Sequence, residues 1–229
     1  MRAATIIAAM MLFSLPAASA TQSSPERWES TIQALEEKLD PQIADENVTL
    51  FIGSSSIRLW QLQQSFPDLK TVNHGFGGSE TSDSVHYFDR LVTPVRPERI
   101  VLYAGDNDIA KKKSPQQVHA DFLKFVSQVQ ERLPEGATVF YIAIKPSLKR
   151  WEMRESMQQA NQLIRDSCNA APSLNFVDIW EPMIGEDGRP RPELFSKDGL
   201  HLNEQGYKLW NDVLRKAFQR SEADTSAVQ

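Results

Sequence analysis

Short apolar runs alternate along this chain with longer segments in which apolar residues recur every third or fourth position. Val48 to Ile52, Lys70 to Asn73, Arg99 to Ala104, Thr138 to Ile144 and Asn175 to Ile179 read as five strands. Gly53 ends the first, and Gly75, Gly77 and Gly78 break the second. The third is apolar on both faces, as a central strand of a parallel sheet must be. Between the strands, Ile57, Leu59 and Trp60 predict a helix starting just after Ser55, and Val85, Phe88 and Leu91 one over Ser82 to Leu91. Ser114-Pro115-Gln116-Gln117 is a capping-box start, and Val118, Phe122, Phe125, Val129 and Leu133 line the helix it opens. Met153, Met157, Ala160 and Ile164 mark the next helix. Asn203 caps a last one carrying Tyr207, Trp210, Leu214 and Ala217. Strand and helix alternate throughout, which predicts an α/β domain with a parallel sheet covered on both faces.

The two ends depart from this pattern. Arg2, an apolar run from Ala3 to Leu15, and Ala18-Ser19-Ala20 together read as a secretory signal peptide over residues 1–20, too short to span a bilayer. The expectation is an exported chain, periplasmic or secreted, with no integral membrane segment after cleavage. A single domain then fills residues 21–220. The small, polar stretch 221–229 is expected to be a disordered tail. Ser24-Pro25 reads as a cap and first-turn proline, followed by Trp28, Ile32, Leu35 and Leu39 at helical spacing.

Composition narrows the function. The chain has 229 residues, 41% hydrophobic and 24% charged, enough for one domain with a core of its own. Its formal net charge is −5, and loss of Arg2 makes that −6, which argues against nucleic acid as a partner. Cys168 is the one cysteine, so no internal disulfide can form, and its place on an apolar helical stripe reads as a small buried hydrophobe. No pattern asks for a cofactor, and none is expected. The oligomeric state is left open.

Four polar motifs carry the candidate chemistry: Gly53-Ser54-Ser55-Ser56, Gly77-Gly78, Gly105-Asp106-Asn107-Asp108 and Asp198-Gly199-Leu200-His201. The first three follow strands at their carboxyl ends, and the fourth lies in the loop after the fifth strand. In an open parallel sheet that rim is where ligands bind. Ser55 at a strand-to-helix junction supplies a hydroxyl beside a positive helix terminus, with Ser54 and Ser56 as rivals decided by register. Gly78 supplies an uncovered backbone N–H, and Asn107 an amide donor. Asp198 stands three residues before His201, close enough to hold Nδ1–H and leave Nε2 free to take a serine proton. Each motif alone has an ordinary structural reading: helix capping, a tight turn, a loop-satisfying amide, a surface turn. Together they supply the nucleophile, base, orienter and oxyanion donors that acyl transfer needs. A metal held by Asp106, Asp108 and His201 is the poorer alternative, since no second histidine joins it.

On these motifs the chain resembles the SGNH hydrolases, the GDSL-like esterase and lipase superfamily, over roughly Val48 to Phe218. The resemblance implies a flavodoxin-like three-layer α/β/α sandwich with a five-stranded parallel sheet. It implies a catalytic Ser55, Asp198 and His201, and an oxyanion hole of Ser55, Gly78 and Asn107, with no metal. Two positions depart from the family pattern: Ser54 replaces the aspartate of Gly-Asp-Ser, and Ser79 replaces the aspartate common after the second-block glycine.

The expected activity is hydrolysis of a small-molecule or glycan ester. Alternatives with the same machinery are an acetyl-glycan deacetylase, a lysophospholipase and a thioesterase. A catalytically silent envelope or glycan-binding domain is the reading from outside enzymes. Arg150 and Trp151, in the loop after the fourth strand, are candidate substrate contacts; the competing reading solvates Arg150 and packs Trp151 beneath the loop. Lys111-Lys112-Lys113 is either solvated surface or a lure for anionic esters. No long lid insertion is visible, which favours small or soluble acyl groups.

Overall fold

Every residue of strand β1 (Val48–Gly53) is buried, because the sheet it belongs to is covered on both faces. The computed structural model describes residues 24–43, 47–133 and 137–228, with side chains to residue 224. The expected signal peptide lies outside the described residues.

Strands β1, β2 (Lys70–Gly75), β3 (Arg99–Tyr103), β4 (Thr138–Ile142) and β5 (Leu174–Val177) form one sheet in the order β2-β1-β3-β4-β5. Every neighbouring pair is parallel. Period-2 alternation splits the apolar side chains between two layers. On one face Leu50, Ile52, Ile100 and Leu102 pack with Phe122 and Phe125 of α7 (Pro115–Arg132) and with Met157 and Ile164 of α8 (Arg154–Asn169). Helix α1 (Glu29–Glu36) adds Ile32 to that layer. On the other face Phe51, Val101 and Phe140 pack with Trp60, Phe66 and, from α9 (Glu204–Val228), Trp210 and Phe218. The result is the three-layer α/β/α sandwich that the alternation required.

The chain runs from β1 outward to β2 and then returns to β3 on the other side of β1. This reversal opens a crevice at the carboxyl ends of β1 and β3, where an α/β sheet takes its ligand. The one-turn helix α2 (Ser55–Arg58) leaves β1 there, and α6 (Asp106–Ala110) leaves β3 there.

Several boundaries differ from expectation. The segment predicted as one helix over Ser82 to Leu91 is two, α4 (Thr81–His86) and α5 (Phe88–Leu91), broken at Tyr87. Tyr87 has φ −95° and ψ 16°, and its hydroxyl donates to the Pro25 carbonyl at 2.9 Å, so a tertiary contact fixes the break. Strand β4 stops at Ile142 rather than Ile144, because Asn161 takes the place of a neighbouring strand. Its Oδ1 accepts from Ile144 N–H at 2.7 Å and its Nδ2 donates to Ile144 O at 2.9 Å. The expected disordered tail from Ser221 is helical through Val228, and Glu222 pairs with Arg99 at 3.1 Å, which ties that stretch to the amino end of β3. Helix α3 (Leu62–Ser65) completes the second layer. Among the described residues no helix is long and apolar enough to cross a membrane.

Candidate active site

Gly53 fixes the turn by which β1 leads into Ser55. Its φ is +135°, and a Cβ there would sit 1.9 Å from the Tyr103 carbonyl oxygen, so no other residue can end β1 this way. Ser54 N–H donates to that same oxygen at 3.0 Å, and Phe76 N–H donates to Gly53 O at 2.9 Å. Backbone bonds therefore hold the loop without help from the Ser54 side chain, which is buried with an unpartnered hydroxyl. Of the three serines, Ser54 and Ser56 face inward and Ser55 is left half-buried at the first turn of α2.

His201 Nε2 lies 3.1 Å from Ser55 Oγ, and its Nδ1 lies 2.6 Å from Asp198 Oδ2. The Asp198 carboxylate also accepts backbone N–H groups from Leu200 at 2.9 Å and His201 at 3.0 Å through Oδ1. The His201 bond first, then those backbone donors, hold its carboxyl well below the usual aspartate range. An ionised carboxylate can only accept, so Nδ1 carries the proton and Nε2 is free to accept from the serine hydroxyl. The other histidines are engaged elsewhere: His74 with the Leu91 carbonyl at 2.7 Å, His119 with Ser167 at 2.7 Å, and His86 against the Tyr87 ring.

The oxyanion candidates converge on the same rim. Ser55 N–H is the first of its helix, without an acceptor inside it. Gly78 has φ +83°, and the nearest atoms to a Cβ there belong to the Trp28 ring, 3.6 Å away, so the glycine is required by conformation rather than by space. Asn107 is the second residue of α6, whose capping residue Gly105 has φ +113°. Its Nδ2 donates to Ser79 O at 2.9 Å and keeps a second N–H, while its Oδ1 accepts from Arg150 Nη2 at 2.9 Å.

The sequence profile of the GDSL-like lipase/acylhydrolase family matches residues 52–209, which spans all four motifs. The chain belongs to that family. It is an ester-bond hydrolase with the family's α/β fold. The alpha1 subunit of platelet-activating factor acetylhydrolase IB from Pongo abelii is 27% identical over 167 residues, 69% of each chain. Among solved structures, a GDSL-like lipase from Bacteroides thetaiotaomicron superposes with a TM-score of 0.68 at 19% identity, covering 88% of this chain and 98% of that one. A catalytic mutant of an acetylxylan esterase from Geobacillus stearothermophilus gives 0.62 at 15% identity, covering 75% and 93%.

In this GDSL-like hydrolase both candidate substrate contacts meet protein groups. Trp151 stacks on Trp180 with ring centroids 6.3 Å apart, packed beneath the loop. Arg150 turns inward, to Asn107 and to Asp106, with Nη1 2.9 Å from Asp106 Oδ2; the N–H there is poorly aimed, so the contact is an ion pair rather than a good hydrogen bond. Nor is the lysine run a free cationic patch. Lys111 pairs with Glu80 at 2.7 Å, and Lys113 with Asp108 and Asp121 at 3.0 Å each. Asp106 and Asp108 are thus committed to cations of the protein, and Asp108 also accepts Thr81 N–H. Burial pushes the Cys168 thiol up to about 12, as suits a small core residue.

Sequence reasoning missed Lys145 as a member of the site. Its side chain is 1% exposed, and its ammonium contacts Tyr103 OH at 2.9 Å, Asp106 Oδ2 at 3.1 Å and Ser56 Oγ at 3.3 Å. Burial pushes the Asp106 carboxyl up, but Lys145 and Arg150 outweigh it and hold it below the ordinary range. A lysine ending the apolar run Tyr141 to Ile144, just before Pro146, was the available signal. A groove of about 790 Å³ opens on the Asp198 and His201 side, lined among others by Leu59, Gln61, Gln64, Tyr207 and Asn211.

Proposed function

We propose that this hydrolase is an exported serine esterase that cleaves small, soluble carboxylic esters through an acyl-enzyme on Ser55. The observation that carries the reading is the relay from Asp198 through His201 to Ser55, at 2.6 and 3.1 Å. His201 Nε2 takes the Ser55 proton as Oγ attacks the ester carbonyl. The carbonyl oxygen becomes an oxyanion, received by Ser55 N–H, Gly78 N–H and the spare N–H of Asn107. The C–O bond to the alcohol then breaks, and the proton on His201 passes to the leaving oxygen. Water, deprotonated by the same nitrogen, attacks the acyl-enzyme; the acyl–Oγ bond breaks, Ser55 Oγ takes the proton back from His201, and the acid leaves.

The acyl group of this reading is acetyl. The Pongo abelii relative is an acetylhydrolase and the Geobacillus stearothermophilus neighbour an acetylxylan esterase. A second reading, an acetylated glycan as the substrate, draws on the groove. The leaving oxygen must come within reach of His201 Nε2, so the alcohol lies towards the groove, where Gln61 and Gln64 offer amides. Export rests on residues 1–20 and would leave a mature chain beginning at Thr21, which amino-terminal sequencing of the exported protein reads directly.

The test is turnover of 4-nitrophenyl acetate by the wild type, Ser55→Ala and His201→Ala, with fluorophosphonate labelling and mass mapping of the adduct. Both variants should keep only residual activity, and the label should fall on Ser55. Rates near wild type in either variant would end the assignment. A series of acyl lengths run beside acetylated xylan then separates the small-ester reading from the glycan reading.

A further inference from the structure

We propose that Arg150 is a positioning residue for the oxyanion hole: its guanidinium locks the Asn107 carboxamide with Nδ2 turned to the substrate oxygen. This rests on the role given to Asn107 above. An amide has two ends of similar shape, and only the nitrogen end can stabilise an oxyanion. Asn107 is fixed by complementary partners, Ser79 O accepting from Nδ2 and Arg150 Nη2 donating to Oδ1. A flipped amide would face oxygen with oxygen at Ser79 and donor with donor at Arg150. Removing Arg150 takes away one of the two contacts that forbid the flip.

Arg150 is itself anchored. Asp106 lies against it and against Lys145, whose ammonium reaches Ser56, the neighbour of the nucleophile. Lys145, Asp106 and Arg150 form a cluster of two cations and one anion, and its surplus positive charge lies beside Asn107 and Ser56 in water-poor surroundings, where charge acts strongly. The same loop grips the base: Lys149 N–H donates to Gly199 O, inside the turn from Asp198 to His201, at 3.0 Å. One segment after β4 therefore braces both the oxyanion side and the base side of the site. The Arg150 side chain is only 16% exposed and already committed to two oxygens, which fits bracing better than contact with substrate.

A double-mutant cycle on 4-nitrophenyl acetate tests this, with Asn107→Ala, Arg150→Ala and the pair, each checked for a folded melt. Arg150→Ala should lower kcat by about 10- to 100-fold and leave KM within about twofold. Added to Asn107→Ala, it should cost less than about twofold more, because the residue it acts through is gone. Arg150→Lys should remain impaired, since an ammonium cannot span two oxygens as the planar fork does. That variant also carries the cycle should Arg150→Ala not fold. Losses that multiply in the pair would overturn the proposal, and so would a raised KM with kcat preserved, the mark of a substrate contact. If Asn107→Ala alone keeps wild-type kcat, the oxyanion role itself fails, which is a different result from additive losses.

Discussion

His201 Nε2 stands 3.1 Å from Ser55 Oγ, although 146 positions separate the two residues in sequence. The sheet accounts for the meeting. Ser55 follows the carboxyl end of β1, and the turn bearing His201 follows β5 and is tied back by Ser196 N–H to His201 O at 2.8 Å. A proton can pass between them without rearrangement, provided the imidazole keeps its tautomer.

That proviso yields the first prediction. Asp198→Asn preserves shape, but its amide nitrogen can face Nδ1 and drive the ring proton to Nε2, where it blocks the serine. We expect kcat to fall by about 10²–10⁴-fold with little change in melting temperature.

A second prediction concerns acid pH. The folded-state carboxyl of Asp198 is held below its unfolded value, so its contribution to stability is complete above the ordinary aspartate range and is lost only as pH falls beneath it. Asp198 therefore stays ionised through the ordinary aspartate range and keeps accepting from His201 Nδ1–H there. Its carboxyl 13C shift, followed by NMR against pH, should remain that of a carboxylate across that range. A shift that moves to the protonated value within that range would contradict this.

The loop at Ser54 gives a third. The Ser54 hydroxyl is buried without a partner, and the backbone holds the loop. Ser54→Ala should keep turnover within about twofold of wild type and stabilise by up to about 1 kcal/mol, since an unsatisfied buried group is removed. Gly53→Ala is the opposite case, with its Cβ set against a backbone oxygen of the central sheet. It should cost about 2–5 kcal/mol and uncouple Ser55 from His201, read as a lowered melt and lost turnover per folded molecule.

Ser54 also shows what a sequence can and cannot disclose. The strands were legible because burial on two faces makes them continuous apolar runs, the long helices because burial on one face spaces their apolar residues by three and four, and the rim rule then placed Ser55, Asn107 and His201 together. The break at Tyr87 was not legible, because it depends on a hydroxyl reaching Pro25 across 62 positions. The inward turn of Arg150 depends on Asp106 being buried opposite it, which no local pattern encodes. The pairing of Lys111 and Lys113 was hidden for the same reason: their partners Glu80, Asp108 and Asp121 come from three separate segments.

The buried ammonium of Lys145 supplies the last prediction. Its side chain is 1% exposed, and Asp106 Oδ1 already lacks a hydrogen-bond partner. Lys145→Met would leave the Asp106 carboxylate facing Arg150 alone, through a poorly aimed N–H. Arg150 still faces the carboxylate, so the loss should stay at or below the roughly 3–5 kcal/mol of a fully stranded charge, and the melt should fall by at most roughly 6–20 °C for a chain of this size. Changing both residues, Lys145→Met with Asp106→Leu, removes the undercompensated charge and should recover part of the lost stability. It also releases Arg150 from its anchor, so turnover should stay low even where the melt returns. Differential scanning calorimetry paired with 4-nitrophenyl acetate kinetics separates the two effects. Recovery of both together would mean that the cluster serves stability alone and has no hold on the chemistry above it.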